Sequence, residues 1–163
     1  MRVVLLNSSV VSASLDRMQR TWLHPRVGVA GLAAYLRAQG CEVSVMDPQV
    51  EDLDAAATGE RIAAQAPDWL GLPAYTEEIH DAAQIAAEVK RRRPETRTVV
   101  GGPHVSALPV ETLEEFESLD VGVIGEGELP LAALVSGQPA ERVPGVVVRN
   151  AEGSAVCTPP QEE

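Results

Sequence analysis

The sequence predicts an α/β domain, a parallel sheet covered by helices on both faces. Three observations lead there. Short apolar runs rich in β-branched residues alternate five times with helix-period stretches. Each run opens into a polar or glycine-containing loop before the next helix begins. The length, 163 residues, suits one such domain with its own core.

Val3 to Leu6 is the first strand and ends at Asn7-Ser8-Ser9. Val10 to Arg26 shows no clear period, and connections of that length in a compact domain are often functional. After Pro25, Val29, Leu32, Ala33 and Leu36 follow the spacing of a helix face, closed by Gly40. Glu42 to Met46 is the second strand, with Cys41 expected as a small buried residue at its start. Residues 49–57 form an acidic, Ala-rich connection, and Thr58 is the expected cap of a short helix stopped by Pro67. Trp69 to Leu72 is the third strand, opening into Pro73-Ala74-Tyr75-Thr76.

A helix from about Glu77 to Arg92 buries Ile79, Ala82, Ala83, Ala86 and Val89. Its basic end, Lys90 to Arg93, complements the helix dipole. Thr98 to Val100 is the fourth strand and runs into Gly101-Gly102-Pro103-His104, and Pro109 starts another helix. Asp120 to Ile124 is the fifth strand, ending in Gly125-Glu126-Gly127-Glu128, with a helix over Leu129 to Val135. The tail, Gly145 to Arg149 and Ser154 to Cys157, reads as a β-hairpin around a Gly-containing turn. Residues 1–158 are thus expected as one domain, with core 1–137, hairpin 143–158, and 159–163 as tail or linker.

Composition narrows the function. Apolar residues make up 45% and charged residues 23%, the balance of a globular chain rather than a disordered one. Thirteen Lys and Arg against 24 Asp and Glu give a net charge of −11, which disfavours nucleic acid and anionic membranes as partners. No apolar run approaches the ~20 residues of a membrane span. The apolar part of the N-terminus is too short for a secretory signal, so a cytoplasmic location is expected. Cys41 and Cys157 form neither a zinc nor an iron–sulfur motif.

Ligands of open parallel sheets bind beyond the carboxyl ends of the strands. Four loops there carry the distinctive residues: Ser8 and Ser9; Tyr75 and Thr76; Gly101, Gly102, Pro103 and His104; Gly125, Glu126 and Gly127. Glycine lets backbone approach a ligand closely. The common nucleotide fingerprints, GxGxxG and GxxxxGK[ST], are absent, as are the GxSxG elbow and HExxH.

Four segments carry a resemblance: His24 to Leu36; Leu72 to Thr76; Val99 to Pro109, with its GGPHxxxxP; and Asp120 to Glu128, with D-x-x-x-I-G-E-G-E. In this order, with the closing hairpin, the chain resembles the cobalamin-binding domain at the N-terminus of class B radical SAM enzymes. The resemblance covers nearly the whole chain. It implies a flavodoxin-like, Rossmann-like three-layer fold with a five-stranded parallel sheet of order 2-1-3-4-5. It implies cobalamin as cofactor, a corrinoid on the strand ends whose nucleotide tail enters the domain. It also implies a radical SAM partner carrying an iron–sulfur cluster, in cis within a longer parent or in trans.

On this reading the cofactor-binding residues are Ser8, Ser9, Arg26, Gly28, Tyr75, Thr76, Gly101, Gly102, Pro103, His104, Gly125, Glu126 and Gly127, with no catalytic and no metal-ligating residue. A Cβ at Gly102 or Gly127 is expected to meet the tail or to demand a strained φ. The DxHxxG motif of His-ligated cobalamin proteins is missing: Trp22 stands where the aspartate would, and Gly28 lies one residue late after His24. An imidazole ligand without its orienting carboxylate is disfavoured, so base-off, His-off binding is expected. His104 is expected to bond within its loop, and Arg26 either to lie near the corrin or to pair with an acidic neighbour. CxxxCxxC is also absent, so this chain alone is not expected to be catalytic. Two other readings stay open, a degenerate domain that docks a protein partner and a binder of flavin or another nucleotide.

Overall fold

The structure is a computed structural model and describes residues 1–11 and 26–160. Trp22 and His24, weighed above, lie outside the described residues. Seven strands form one sheet: β1 (Arg2–Leu6), β2 (Glu42–Met46), β3 (Trp69–Pro73), β4 (Arg97–Gly101), β5 (Val121–Val123), β6 (Val146–Arg149) and β7 (Ala155–Cys157). Their order is β2-β1-β3-β4-β5-β6-β7. The first five are parallel and the last two antiparallel. The expected 2-1-3-4-5 core and flavodoxin-like architecture are present.

Alternation along the strands divides the core in two. Val4, Leu6, Leu70, Leu72 and Val100 face helices α2 (Ala55–Ala64), α3 (Ile79–Arg92), α4 (Pro103–Ala107) and α5 (Pro109–Glu115). Val3, Leu5, Trp69, Val99, Val121 and Val123 face α1 (Val27–Ala38) and α6 (Glu128–Val135). Fully burying each such side chain contributes about 1.5–3 kcal/mol. Both sides of the central strands are therefore apolar, which is why they read as unbroken runs.

The expected C-terminal hairpin is present, and it extends the sheet: β6 continues from β5, with Val121 opposite Val148 and Val123 opposite Val146. Gly122 permits the fit, since a Cβ there would lie 2.5 Å from Val147 Cγ1. The carbonyl of Pro159 accepts from Gly145 N at 2.8 Å, so the anchored chain reaches past residue 158. Asp54, not Thr58, caps α2, accepting from Ala57 N at 2.8 Å. The earlier cap adds about one turn and buries Ala55, while Thr58 returns its hydroxyl to the Asp54 carbonyl. The GGPH loop enters a helix at once, with Pro103 in the first turn of α4. Leu108, kept out of the helical region by Pro109, separates α4 from α5. Cys41 is half-buried and precedes β2.

Trp69 lies in the core as expected, with the Arg97 guanidinium 4.3 Å from its ring centroid. The basic end of α3 is engaged in ion pairs: Lys90 with Asp120, Arg91 and Arg92 with Glu88, Arg93 with Glu95. No helix among the described residues is long and apolar enough to cross a membrane.

Candidate functional site

A cleft of about 420 Å³ opens at the carboxyl ends of the strands and runs down between the sheet and helices α1 and α6. α1 packs over β1 and β2, and α6 lies on the same face beyond the central strands. Between them the sheet presents Gly71 and Gly101. A Cβ built on Gly101 would have only Val123 Cβ within 4 Å, at 3.8 Å, and would otherwise occupy the cleft. Leu5 already leans over Gly71, where a Cβ would come within 2.5 Å of its Cδ2. Glycine thus keeps the floor low at Gly101 and lets Leu5 lie over the sheet at Gly71, and the helices on either side make the walls.

The mouth is built from the loops that the sequence singles out. Arg26, Gly28, Tyr75, Gly101, Gly102, Pro103, Gly125, Glu126 and Gly127 all line the cleft. Ser8, Ser9, Thr76 and His104 do not. Ser9 is buried with its hydroxyl donated to the Pro73 carbonyl at 2.6 Å. Ser8, also buried, donates to Glu78 Oε1 at 3.2 Å and accepts from Gln49 Nε2 at 2.7 Å. The His104 ring does not bond within its own loop as expected but reaches the loop after β3, its Nδ1 lying 3.2 Å from Thr76 Oγ1.

The two glycine loops do different things. Gly102 has φ +113°, and a Cβ there would come within 2.8 Å of the Ala74 carbonyl oxygen. It is therefore a structural turn residue that lets β4 pass under the loop after β3. Gly127 has φ −92°, and its Cβ would touch only Leu32 at 3.8 Å. Its missing side chain leaves room in the cleft rather than relieving the backbone. Gly125 N donates to Ser106 Oγ at 3.0 Å, tying the two loops together.

Arg26 pairs with an acidic neighbour, Glu78. The guanidinium donates from both terminal nitrogens to the Glu78 carboxylate, one contact being 3.0 Å, and stacks over the Tyr75 ring at 5.1 Å. The Glu78 side chain is only 3% exposed. It also accepts from the Tyr75 amide at 2.9 Å and from Ser8. One carboxylate thus fastens three loops of the rim. Sequence reading missed Glu78 because a glutamate at a helix start reads as solvated. The available signal was its place three residues after Tyr75 and just before Ile79, the spacing of the reaching-back glutamate in a capping box. Ser106 and Gly71 were missed as well; only the fold brings them to the site.

A family model described as the B12 binding domain matches residues 19–135. This chain belongs to the B12-binding domain family. It is 30% identical to the anaerobic magnesium-protoporphyrin IX monomethyl ester cyclase of Rubrivivax gelatinosus, a match covering 98% of this chain and 30% of that protein. It is 34% identical over 95 residues to the cobalamin-dependent radical SAM methyltransferase TokK of Streptomyces tokunonensis, covering 55% of this chain and 14% of that one. The cobalamin-dependent S-adenosylmethionine radical enzyme OxsB, solved with aqua-cobalamin and S-adenosylmethionine bound, shares the fold. Its TM-score is 0.76 at 19% identity, over 99% of this chain and 22% of that one. The chain spans less than a third of the length of the curated relatives it matches.

The cleft of this B12-binding domain suits a large cofactor with a mostly neutral tail. Among the described residues that line it, the walls are apolar, the floor is glycine, and the one arginine, Arg26, is already neutralised by Glu78. A polyphosphate would want unspent cations there. Glu126 and Glu128 flank Gly127 at the mouth. Among the described residues no group of three or more His, Cys, Asp or Glu side chains is disposed to hold a metal ion.

Proposed function

We propose that this domain holds a cobalamin for a radical SAM enzyme of the methyltransferase type, with the lower base detached from cobalt and no histidine in its place. The catalytic barrel would be joined in a longer chain or act as a separate partner. The observation that carries this reading is the apolar shaft floored by Gly71 and Gly101 below a rim of glycine loops. Its volume of about 420 Å³ is that of a small-ligand site, which supports a nucleotide tail held inside with the corrin ring at the mouth.

On this reading Gly101, Gly125 and Gly127 give the tail room, while Gly28 and Pro103 border its entry. Tyr75 and Arg26 face the rim beside the ring, and Glu126 borders it from the α6 side. Thr76 and His104 offer an outer polar pair to the propionamides of the corrin. Ser8 and Ser9 act indirectly, by holding Glu78 and the β3 loop. Gly102 shapes the loop that carries Pro103 and His104. Cobalamin, when bound, supplies a cobalt centre able to carry an alkyl group or an electron; the residues named here bind and orient it and keep water from its lower face.

Gel filtration after mixing with hydroxocobalamin tests the reading. The protein fraction is expected to retain visible corrinoid absorbance. A colourless fraction at saturating corrinoid, with circular dichroism of a folded α/β domain, would refute it. Flavin fluorescence in the purified protein would favour the nucleotide alternative instead.

A further inference from the structure

Corrinoids differ in the aromatic group that ends the nucleotide tail, which is a benzimidazole, a purine such as adenine, or a phenol. The shaft bears on that difference. Below the mouth its described side chains are Leu5, Leu32, Val99, Val123 and Leu131. Among the described residues lining the cleft, the side chains that carry charge or a hydroxyl are Arg26, Tyr75, Glu126 and Glu128, all in the rim loops or at the start of α6. The floor's peptide groups are engaged in the strand ladder, Leu5 opposite Gly71, Gly71 opposite Val99, and Gly101 opposite Val123.

We propose that this cleft selects corrinoids by the apolar character of the lower base, accepting dimethylbenzimidazole or a phenol and discriminating against adenine. The inference rests on the reading that the tail enters the shaft. Detached dimethylbenzimidazole exposes one ring nitrogen and offers two methyl groups to the walls. Adenine adds an exocyclic amine and two further ring nitrogens, each solvated in water and each without a partner among these side chains. An unpaired buried polar group forfeits its hydration with nothing in return, which weakens binding of the more polar base. The opposing effect is that adenine binds cobalt more weakly and so detaches more readily. That effect belongs to the corrinoid alone and cancels when one pair of corrinoids is compared across protein variants.

The test measures dissociation constants of the whole chain, by visible absorbance, for hydroxocobalamin, its adenine-tailed analogue, a cresol-tailed corrinoid and tailless cobinamide. Wild type is expected to hold cobalamin and the cresol-tailed form at least tenfold more tightly than the adenine-tailed one. Val99→Thr and Val123→Thr, which exchange a methyl for a hydroxyl at near-constant size, are expected to narrow that ratio. Adenine-tailed corrinoid bound by wild type as tightly as cobalamin, in a ratio that the threonine variants leave unchanged, would overturn the proposal while leaving cofactor binding intact; if neither variant folds, the same wild-type comparison made with the dicyano forms, whose bases are already detached, decides it. Cobinamide held as tightly as cobalamin would instead overturn the placing of the tail in the shaft. Failure to retain any corrinoid would overturn the cofactor assignment itself.

Discussion

The Arg26 guanidinium and the Glu78 carboxylate form a two-armed ion pair across the rim of the cleft, joining the residue that precedes α1 to the one that precedes α3. Glu78 is buried and Arg26 is 27% exposed, so the pair is only partly screened by water. Breaking a pair of this kind leaves a charge without its partner in a poor solvent. Glu78→Gln keeps the shape, removes the charge and turns one acceptor oxygen into a donor. An expected loss of about 1–3 kcal/mol follows, discounted for the exposure of Arg26. Urea unfolding measures it, and a midpoint equal to wild type would show that the pair contributes nothing. Corrinoid affinity should fall in the same variant, because Tyr75 and Arg26 lose their common anchor.

Gly102 and Gly127 look equivalent in sequence and should behave oppositely. Gly102→Val puts a β-branched residue at φ +113° and drives its Cβ against the Ala74 carbonyl. Strain and clash together predict a loss of roughly 2–4 kcal/mol in stability. Gly127→Val sits at an ordinary φ with only Leu32 in contact, so stability should change by less than about 1 kcal/mol. Corrinoid retention should nonetheless drop, since the valine fills the cleft. Thermal melts and gel filtration of both variants separate the two effects. A Gly127→Val protein that binds as wild type would remove this loop from the site.

Glu88 supplies a pH test away from the cleft. Its carboxyl is held below the ordinary carboxylate range, first by the hydrogen bond from Arg92 and then by that from Arg91. A lowered folded value means the stabilisation is fully present above the unfolded carboxylate pKa and is lost as pH falls through the folded one. The gap in urea midpoint between wild type and Glu88→Gln should therefore be visible near neutral pH and close under acid. Added salt should shrink it at neutral pH, because these side chains face water. A gap that persists under acid would assign the effect to packing.

Periodicity made the sheet legible. Val3 to Leu6, Trp69 to Leu72 and Thr98 to Val100 are buried on both faces, and such strands advertise themselves as unbroken apolar runs. The rim was legible because glycine and polar residues interrupt those runs at their carboxyl ends. What stayed hidden is tertiary. Nothing local marks β6 as the sixth strand of the sheet, because its partner surface exists only once Gly122 has made room for Val147. Glu78 was hidden because its charged partner, Arg26, lies 52 residues away. Ser8 and Ser9 lie where sequence puts them, at the end of β1, yet their hydroxyls are satisfied inward. Position along a strand tells which end a residue occupies; it does not tell which way its hydroxyl turns.

The lower face of the bound corrinoid gives the last prediction. A histidine that replaces the detached base needs its other ring nitrogen held by a carboxylate or carbonyl, to fix tautomer and direction. His104 has neither. Its Nδ1 lies against the Thr76 hydroxyl at 3.2 Å, and its ring sits in the first turn of α4 behind Pro103, outside the lining of the cleft. His24 has Trp22 two residues before it, where an orienting aspartate would stand, and its glycine comes a residue late. His80, the third histidine, packs edge-on to Phe116 with ring centroids 5.2 Å apart, on the α3–α5 side of the sheet. Cobalamin reduced to Co(II) on this domain should therefore show an electron paramagnetic resonance spectrum without nitrogen splitting. The double variant His24→Ala, His104→Ala should give the same spectrum as wild type. An axial nitrogen divides each cobalt line into three, so the readout does not depend on turnover. Triplets in wild type that disappear in the double variant would place a histidine on cobalt, and triplets that survive it would show that the corrinoid keeps its own base.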